Sequence, residues 1–217
     1  KELNKVGKKT VVIRNYYKGH TDEYDLIKKN NIQLILKKNR IESIKEAEQK
    51  GFEIILLDDG LQDYKLKKDL SIVCFNQNQL IGNGLIIPSG PLRENLNALK
   101  KIDIVLINGK KDIKFEEKIL NVNKDLEIFY SFYKPENINK FKNYDLLAIA
   151  GIGNPENFFQ LLEENNLKVK IKMKFPDHYK FAKHEIEKIL KIAEQKKCKI
   201  IMTEKDYIKI KKFELPN

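Results

Sequence analysis

Arginine, cysteine and long apolar runs are all scarce in this sequence, and each shortage excludes something. Only Arg14, Arg40 and Arg93 occur, against a formal net charge of +11 in 217 residues, so lysine carries nearly all the positive charge. Arginine is the usual reader of base edges, and no RNP, KH or zinc-finger pattern occurs. Nucleic acid is therefore disfavoured as a partner. The two cysteines, Cys74 and Cys198, lie in apolar strand-like runs and lack metal-ligand spacing. They read as reduced core thiols of a cytosolic protein. No apolar run approaches the ~18 residues needed to span a bilayer, and 34% of residues are charged, which argues against a membrane-embedded chain. No signal peptide is visible. The first residue is Lys1 rather than Met, so an upstream anchor or targeting segment is left open.

The positive charge has two readings. The chain is rich in Lys, Asn and Ile, the bias of AT-rich coding sequences, which spreads lysine over every solvated face. The functional alternative is attraction to an anionic partner such as phospholipid or a phosphorylated substrate. An acidic lipid surface fits the second reading.

Short apolar runs alternate with amphipathic stretches. Thr10–Ile13, Ile54–Leu57, Leu70–Phe75, Ile102–Ile107, Leu146–Ala150 and Ile200–Met202 read as strands, and Val169–Met173 is strand-like. Ile41–Lys50, Pro155–Asn165 and His184–Lys197 read as helices. Continuous apolar strands separated by helices predict an α/β fold with a parallel sheet covered on both faces. Two breaks interrupt this rhythm. Ile81–Leu92 is rich in Gly and Pro, and Asn121–Asn143 is polar apart from Ile128–Tyr133.

The sharpest local signal is Asp58-Asp59-Gly60-Leu61-Gln62, directly after an apolar strand. The carboxyl ends of parallel strands face the ligand crevice. Two adjacent carboxylates there repel each other unless a cation sits nearby, and a strand-end Asp holding Mg²⁺ is the Walker B arrangement. A solvated Asp-Gly turn is the plain alternative. Pro88-Ser89-Gly90-Pro91-Leu92-Arg93-Glu94 is a stiff loop presenting Arg93, whose forked donors suit phosphate, beside Glu94, which suits Mg²⁺ or a ribose hydroxyl. Read alone, it is equally a stiffened connection with one surface ion pair. Gly151-Ile152-Gly153-Asn154-Pro155 follows a strand and opens a helix. Asn154 is a good cap and Pro155 a good first helical residue, and such a start binds anions. An ordinary strand-to-helix turn looks the same. Phe175-Pro176-Asp177-His178-Tyr179 puts a loop histidine next to an aspartate, an acid/base or orienting group or else a surface histidine. Thr203-Glu204-Lys205-Asp206 places polar groups after the last strand, and His20-Thr21-Asp22-Glu23 follows the first strand and an aromatic loop.

No one of these motifs is decisive, but their order is. A strand followed by DDGLQ, then GNG, PSGPLRE, GIGNPENFF, FPDHY and TEKD resembles the tetraacyldisaccharide 4′-kinase family from about Val11 to Ile208. Arg14-Asn15-Tyr16-Tyr17 resembles an altered form of the family's Ser-Arg-Gly-Tyr segment. Asp22-Glu23 matches its Gly-Asp-Glu segment, with Thr21 in place of Gly.

The resemblance implies transfer of the γ-phosphate of ATP, with Mg²⁺, to the 4′-hydroxyl of a tetraacylated glucosamine disaccharide 1-phosphate, giving lipid IVA. It implies peripheral work at the cytoplasmic face of a Gram-negative inner membrane. The implied fold is a P-loop NTPase-like lobe (residues 1–80), a ribbon linker carrying GPLRE (81–100), and a second, smaller α/β lobe (101–217), with the active site between lobes. Asp22 matches the catalytic Asp and His178 its dyad partner. An isolated Asp ionises near pH ~4, poor for deprotonating a sugar hydroxyl, so pairing with His178 would orient it and share the proton. Coming from different lobes, the two would be assembled by lobe closure. Asp58 and Asp59 match the Walker B-like pair, with Asp59 also counted as catalytic. Glu94 matches a carboxylate on the Mg²⁺ or nucleotide side, Arg93 a phosphate contact, and Gln62 and Asn154 weaker substrate or structural contacts.

One departure matters. The family's GxxxxGK[ST]-type loop is expected before Lys1, and Lys8-Lys9-Thr10 is no substitute because the cradling glycines are missing. The chain as it stands is then expected to be inactive. A non-catalytic paralogue binding glycolipid or nucleotide is the alternative of another class, and a basic nucleic-acid-binding domain rests on charge alone. The sequence leaves oligomeric state and acyl-chain preference open.

Overall fold

The structure, a computed structural model, describes residues 1–213. The chain divides into two compact units, Lys1–Gly60 with the segment from Pro135 onward, and Leu61–Lys134. Residues 81–100, expected as a linker between lobes, lie inside the second unit.

The first unit opens with α1 (Glu2–Lys5), β1 (Thr10–Asn15), α2 (Thr21–Lys29), β2 (Leu34–Lys37), α3 (Arg40–Gln49) and β3 (Ile54–Leu57). Its sheet has the order β2-β1-β3, and both pairings are parallel. Side chains alternate along a strand. On one face of β1, Val11 and Ile13 are buried with Ala47 of α3 and Ile35 of β2. Arg14 therefore points to the opposite face, where Glu23 and Tyr24 of α2 meet it.

The second unit holds β4 (Ile72–Asn76), β5 (Ile104–Asn108), α4 (Ile113–Leu120) and β6 (Glu127–Ser131), in a parallel sheet of order β4-β5-β6. Val105 and Ile107 of the central strand pack with Phe115 and Ile119 of α4, and Ile81 and Leu99 complete that core. The Gly- and Pro-rich stretch is irregular, as expected, with a single bridge between Ile86 and Leu92. Cys74 corrects an expectation. It is exposed, and Cys198 is half-buried, because Cys74 falls on the outward-facing positions of β4, whose burial alternates along the strand.

The chain then completes the first unit with β7 (Asp145–Ala150), α5 (Pro155–Glu164), β8 (Lys168–Lys174), α6 (Lys183–Gln195), β9 (Lys199–Met202) and α7 (Glu204–Ile210). The sheet order is β8-β7-β9, again parallel throughout. β7 buries both faces. Leu146, Ala148 and Ala150 pack with Phe159 and Leu162 of α5. Leu147 and Ile149 pack with Ile186 and Ile189 of α6 and Ile210 of α7. A central strand of a parallel sheet, covered on both sides, takes this continuous apolar form. Helices α2 and α7 pack against each other and so join the unit's two halves.

The α/β class and the parallel pairing are as expected, but the strands form separate three-stranded sheets rather than one. Phe159 is fully buried, so Phe159→Ala is expected to destabilise the first unit by about 3–5 kcal/mol. A urea denaturation series measures this, and an unchanged midpoint would contradict the packing described for β7 and α5.

Candidate active site

Asp22 is the second residue of α2, where a carboxylate faces the positive end of the helix dipole, and it is buried. His178 lies in the loop after β8 with φ of 56°, a left-handed conformation that histidine adopts more readily than most residues. The Asp177 carboxylate accepts a hydrogen bond from the backbone N–H of His178 at 2.9 Å and steadies that bend. His178 Nδ1 then lies 3.1 Å from Asp22 Oδ1 and 3.2 Å from Oδ2. A carboxylate only accepts, so Nδ1 carries the hydrogen. His20, just before α2, sets its ring centroid 4.2 Å from that of His178, with the two planes tilted by 43°.

Cations surround the pair. Lys205 and Lys209 stand four residues apart on α7 and thus on one face. Lys205 Nζ donates to Glu23 Oε1 and to Asp177 Oδ1, each at 3.0 Å, and lies 3.9 Å from Asp22 Oδ2. Lys209 Nζ lies 3.6 Å from the same Asp22 oxygen. Arg14 bridges two carboxylates, Glu23 at 2.7 Å and Asp58 at 2.9 Å. Burial alone would raise the Glu23 pKa, but hydrogen bonds from Lys205 and Arg14 hold it down at about 2. Burial would likewise lower Lys205, and its bonds to Asp177 and Glu23 raise it instead.

Asp58 follows the C-terminal end of β3, beside the end of β1. Both it and Asp59 are exposed. Arg40 Nη2 donates to the carbonyls of Asp58 at 3.0 Å and Asp59 at 2.7 Å, and Asp59 has φ of 54°. The next residue has to be glycine, because a Cβ at Gly60 would sit 2.6 Å from Leu57 Cβ. In the second unit, Gln62 and Arg93 are exposed, and Glu94 accepts the Tyr64 hydroxyl hydrogen. That bond raises the Tyr64 pKa. Asn154 caps α5 as expected, accepting from Asn157 N at 3.4 Å.

A model of the family "Tetraacyldisaccharide-1-P 4'-kinase" matches residues 10–217. The chain belongs to that family. The tetraacyldisaccharide 4′-kinase of Pelagibacter ubique (strain HTCC1062) is 41% identical over 211 residues, covering 96% of this chain and 67% of that protein. The tetraacyldisaccharide 4′-kinase of Haemophilus influenzae (strain 86-028NP) is 36% identical over 194 residues, covering 88% of this chain and 56% of that protein. The chain thus spans roughly three fifths of the length of the curated relatives it matches. A crystal structure of LpxK from Aquifex aeolicus in complex with ATP has a TM-score of 0.65 and 21% identity, covering 96% of this chain and 72% of that one. It shares the fold.

For this member of the tetraacyldisaccharide-1-P 4'-kinase family, the structure brings Asp22 and His178 into contact and ties Asp58 to them through Arg14 and Glu23. The two come from the same unit, not from different lobes, so no lobe closure is needed to assemble them. Gln62, Arg93 and Glu94 belong to the second unit. For Mg²⁺ the donor set of Asp58 and Asp59 fits: both carboxylates are solvent-exposed oxygen donors, and Mg²⁺ is held through one or two carboxylates with several waters. Among the described residues, the group of three that could itself enclose an ion is instead His20, Glu23 and His178.

Sequence reasoning missed Arg14, Glu23, Lys205 and Lys209 as members of one network. Two signals were available: a rare arginine ending an apolar strand, and lysines spaced four apart after the last strand. A carboxylate whose folded pKa is depressed stabilises the fold above its unfolded pKa and loses that contribution as pH falls through the folded value. The stability advantage of the parent over Glu23→Gln is therefore expected in full above about pH 5 and to decline from about pH 4 toward about pH 2. Urea midpoints across that range measure it, and an advantage that grows on acidification would contradict the assignment.

Proposed function

We propose that the protein carrying this chain is an ATP-dependent kinase that phosphorylates the 4′-hydroxyl of a tetraacylated glucosamine disaccharide 1-phosphate to give lipid IVA. The observation that carries the reading is the buried Asp22 with His178 Nδ1 at 3.1 Å, in a chain of this family.

Asp22 accepts the proton of the 4′-hydroxyl as that oxygen attacks the γ-phosphorus. The bond from the γ-phosphorus to the bridging oxygen breaks, and ADP leaves with the electron pair. Phosphoryl transfer passes through a loose transition state, so alignment matters more than base strength. His178 supplies that alignment by holding the Asp22 carboxylate and sharing its proton. Asp58 and Asp59 would hold Mg²⁺, with its water shell, and the ion when bound neutralises charge on the β- and γ-phosphate oxygens. Asp59 is the residue whose loss should be felt in metal use. For Arg93 we propose a phosphate contact, and for Glu94 and Gln62 the metal or nucleotide side. Peripheral association with the cytoplasmic face of the inner membrane completes the reading. No helix among the described residues is long and apolar enough to cross a membrane.

Two measurements on the complete polypeptide test this. Asp22→Ala and His178→Ala are each expected to lower turnover of the disaccharide acceptor by at least ~100-fold, with the double variant little worse, because residues acting as a unit lose their effect together. Additive losses would argue against a pair. Asp59→Ala is expected to raise the Mg²⁺ concentration needed for half-maximal rate at least ~10-fold, with lipid binding nearly unchanged. An unaltered Mg²⁺ dependence would remove Asp59 from the metal role.

A further inference from the structure

One polar group in the first unit has no part in that mechanism and is nonetheless completely buried. Asp206, the third residue of α7, is 0% exposed. Its Oδ2 accepts from Gly151 N at 2.9 Å and from the Thr203 hydroxyl at 2.7 Å. Its Oδ1 accepts from Lys209 Nζ at 2.9 Å. Lys209 is itself 9% exposed and also donates to the Gly151 carbonyl at 3.0 Å. Two of its three hydrogens are thereby committed, and the ammonium is left 3.6 Å from Asp22 Oδ2.

A buried ion pair stabilises a fold weakly once desolvation is counted. Folding alone is thus a poor account of why two charges are fixed behind Asp22. The arrangement differs from that of Lys205, which is divided between Glu23 and Asp177 and stands farther from Asp22, at 3.9 Å. Among the described residues, the carboxylates within ion-pair distance of Lys209 are those of Asp206 and Asp22.

We infer that Lys209, locked in place by Asp206, is a positioning residue for Asp22. It anchors Oδ2 from behind, so that the carboxylate keeps one orientation toward His178 and toward the hydroxyl whose proton it accepts. Lys209 touches no reacting atom and acts through Asp22. The inference rests on the proposed role of Asp22 and adds a residue to it.

The test uses the complete polypeptide, with ATP and the disaccharide acceptor as substrates. Lys209→Met is expected to lower kcat by about 10- to 100-fold, the loss of one charge-assisted contact, with KM for both substrates within about threefold. Lys209→Arg, which keeps the cation, should recover most of that loss. On an Asp22→Asn background Lys209→Met should add less than about threefold, because the two act as one unit. A residue that only supported the fold would lower both backgrounds alike and would shift KM or the folded fraction. Should Lys209→Met melt out, Asp206→Asn carries the same test, since it releases Lys209 without removing its charge. A folded Lys209→Met or Asp206→Asn enzyme with undiminished kcat overturns the proposal, as does an equal loss on both backgrounds. If Asp22→Ala itself leaves turnover intact, the reading of the site fails. If Asp22→Ala abolishes turnover and Lys209→Met does not, only this inference fails.

Discussion

The contact between Asp22 and His178 joins residues 156 positions apart, and the packing of the first unit is what lets it form. Closing a long loop costs entropy that grows only slowly with length. The expense is met by apolar burial elsewhere, chiefly on both faces of β7. With that core formed, α7 lies against α2, and Asp22 at the start of α2 meets a loop histidine already bent into place by Asp177. The polar contact then fixes the last degrees of freedom of two segments that the core has brought close.

Charge of alternating sign is what makes the burial tolerable. Asp22 is 7% exposed, and a lone ionised carboxylate so placed would be expensive. Here His178, Lys205 and Lys209 surround it, and each of the lysines has a further acidic partner. Arg14 extends the same logic to Glu23 and Asp58 with one guanidinium, whose planar fork can serve two carboxylates at once. A half-satisfied network would be worse than an apolar core. In this one, Glu23 is held by both Lys205 and Arg14, and these contacts lower its pKa.

The strands most legible in the sequence are continuous apolar runs: Ile54–Leu57 and Leu146–Ala150 match β3 and β7 almost to the residue, whereas the short β2 (Leu34–Lys37) escapes such a reading. The elements that carry the site were not. α2 (Thr21–Lys29) buries an aspartate and a tyrosine rather than an apolar stripe, and its cap residue, His20, makes no side-chain capping bond. α7 spans only Glu204–Ile210 and buries Asp206 beside Ile210. Short helices whose inward face is polar give no hydrophobic periodicity to read. The motif residues Asp22, Asp58 and His178 were found from family order, whereas Lys209 has no motif of its own and becomes visible only through its distances. The expected lobe boundary failed to register the return of the chain, because nothing local in a sequence marks that residues after Pro135 rejoin those before Gly60.

The same return explains why two motifs that read as separate turns belong together. GIGNP follows β7 and TEKD follows β9, and these strands are parallel neighbours, so both turns emerge at one end of the sheet. A side chain at Gly151 would meet Asp206 Oδ1 at 2.9 Å. Glycine there leaves room for the carboxylate to reach the Gly151 N–H, and the Lys209 ammonium takes the adjacent carbonyl. The glycine turn is thus a socket for the second motif rather than an isolated anion cradle. Its backbone N–H is already committed to Asp206, which leaves that amide unable to bind a phosphate while α7 is docked.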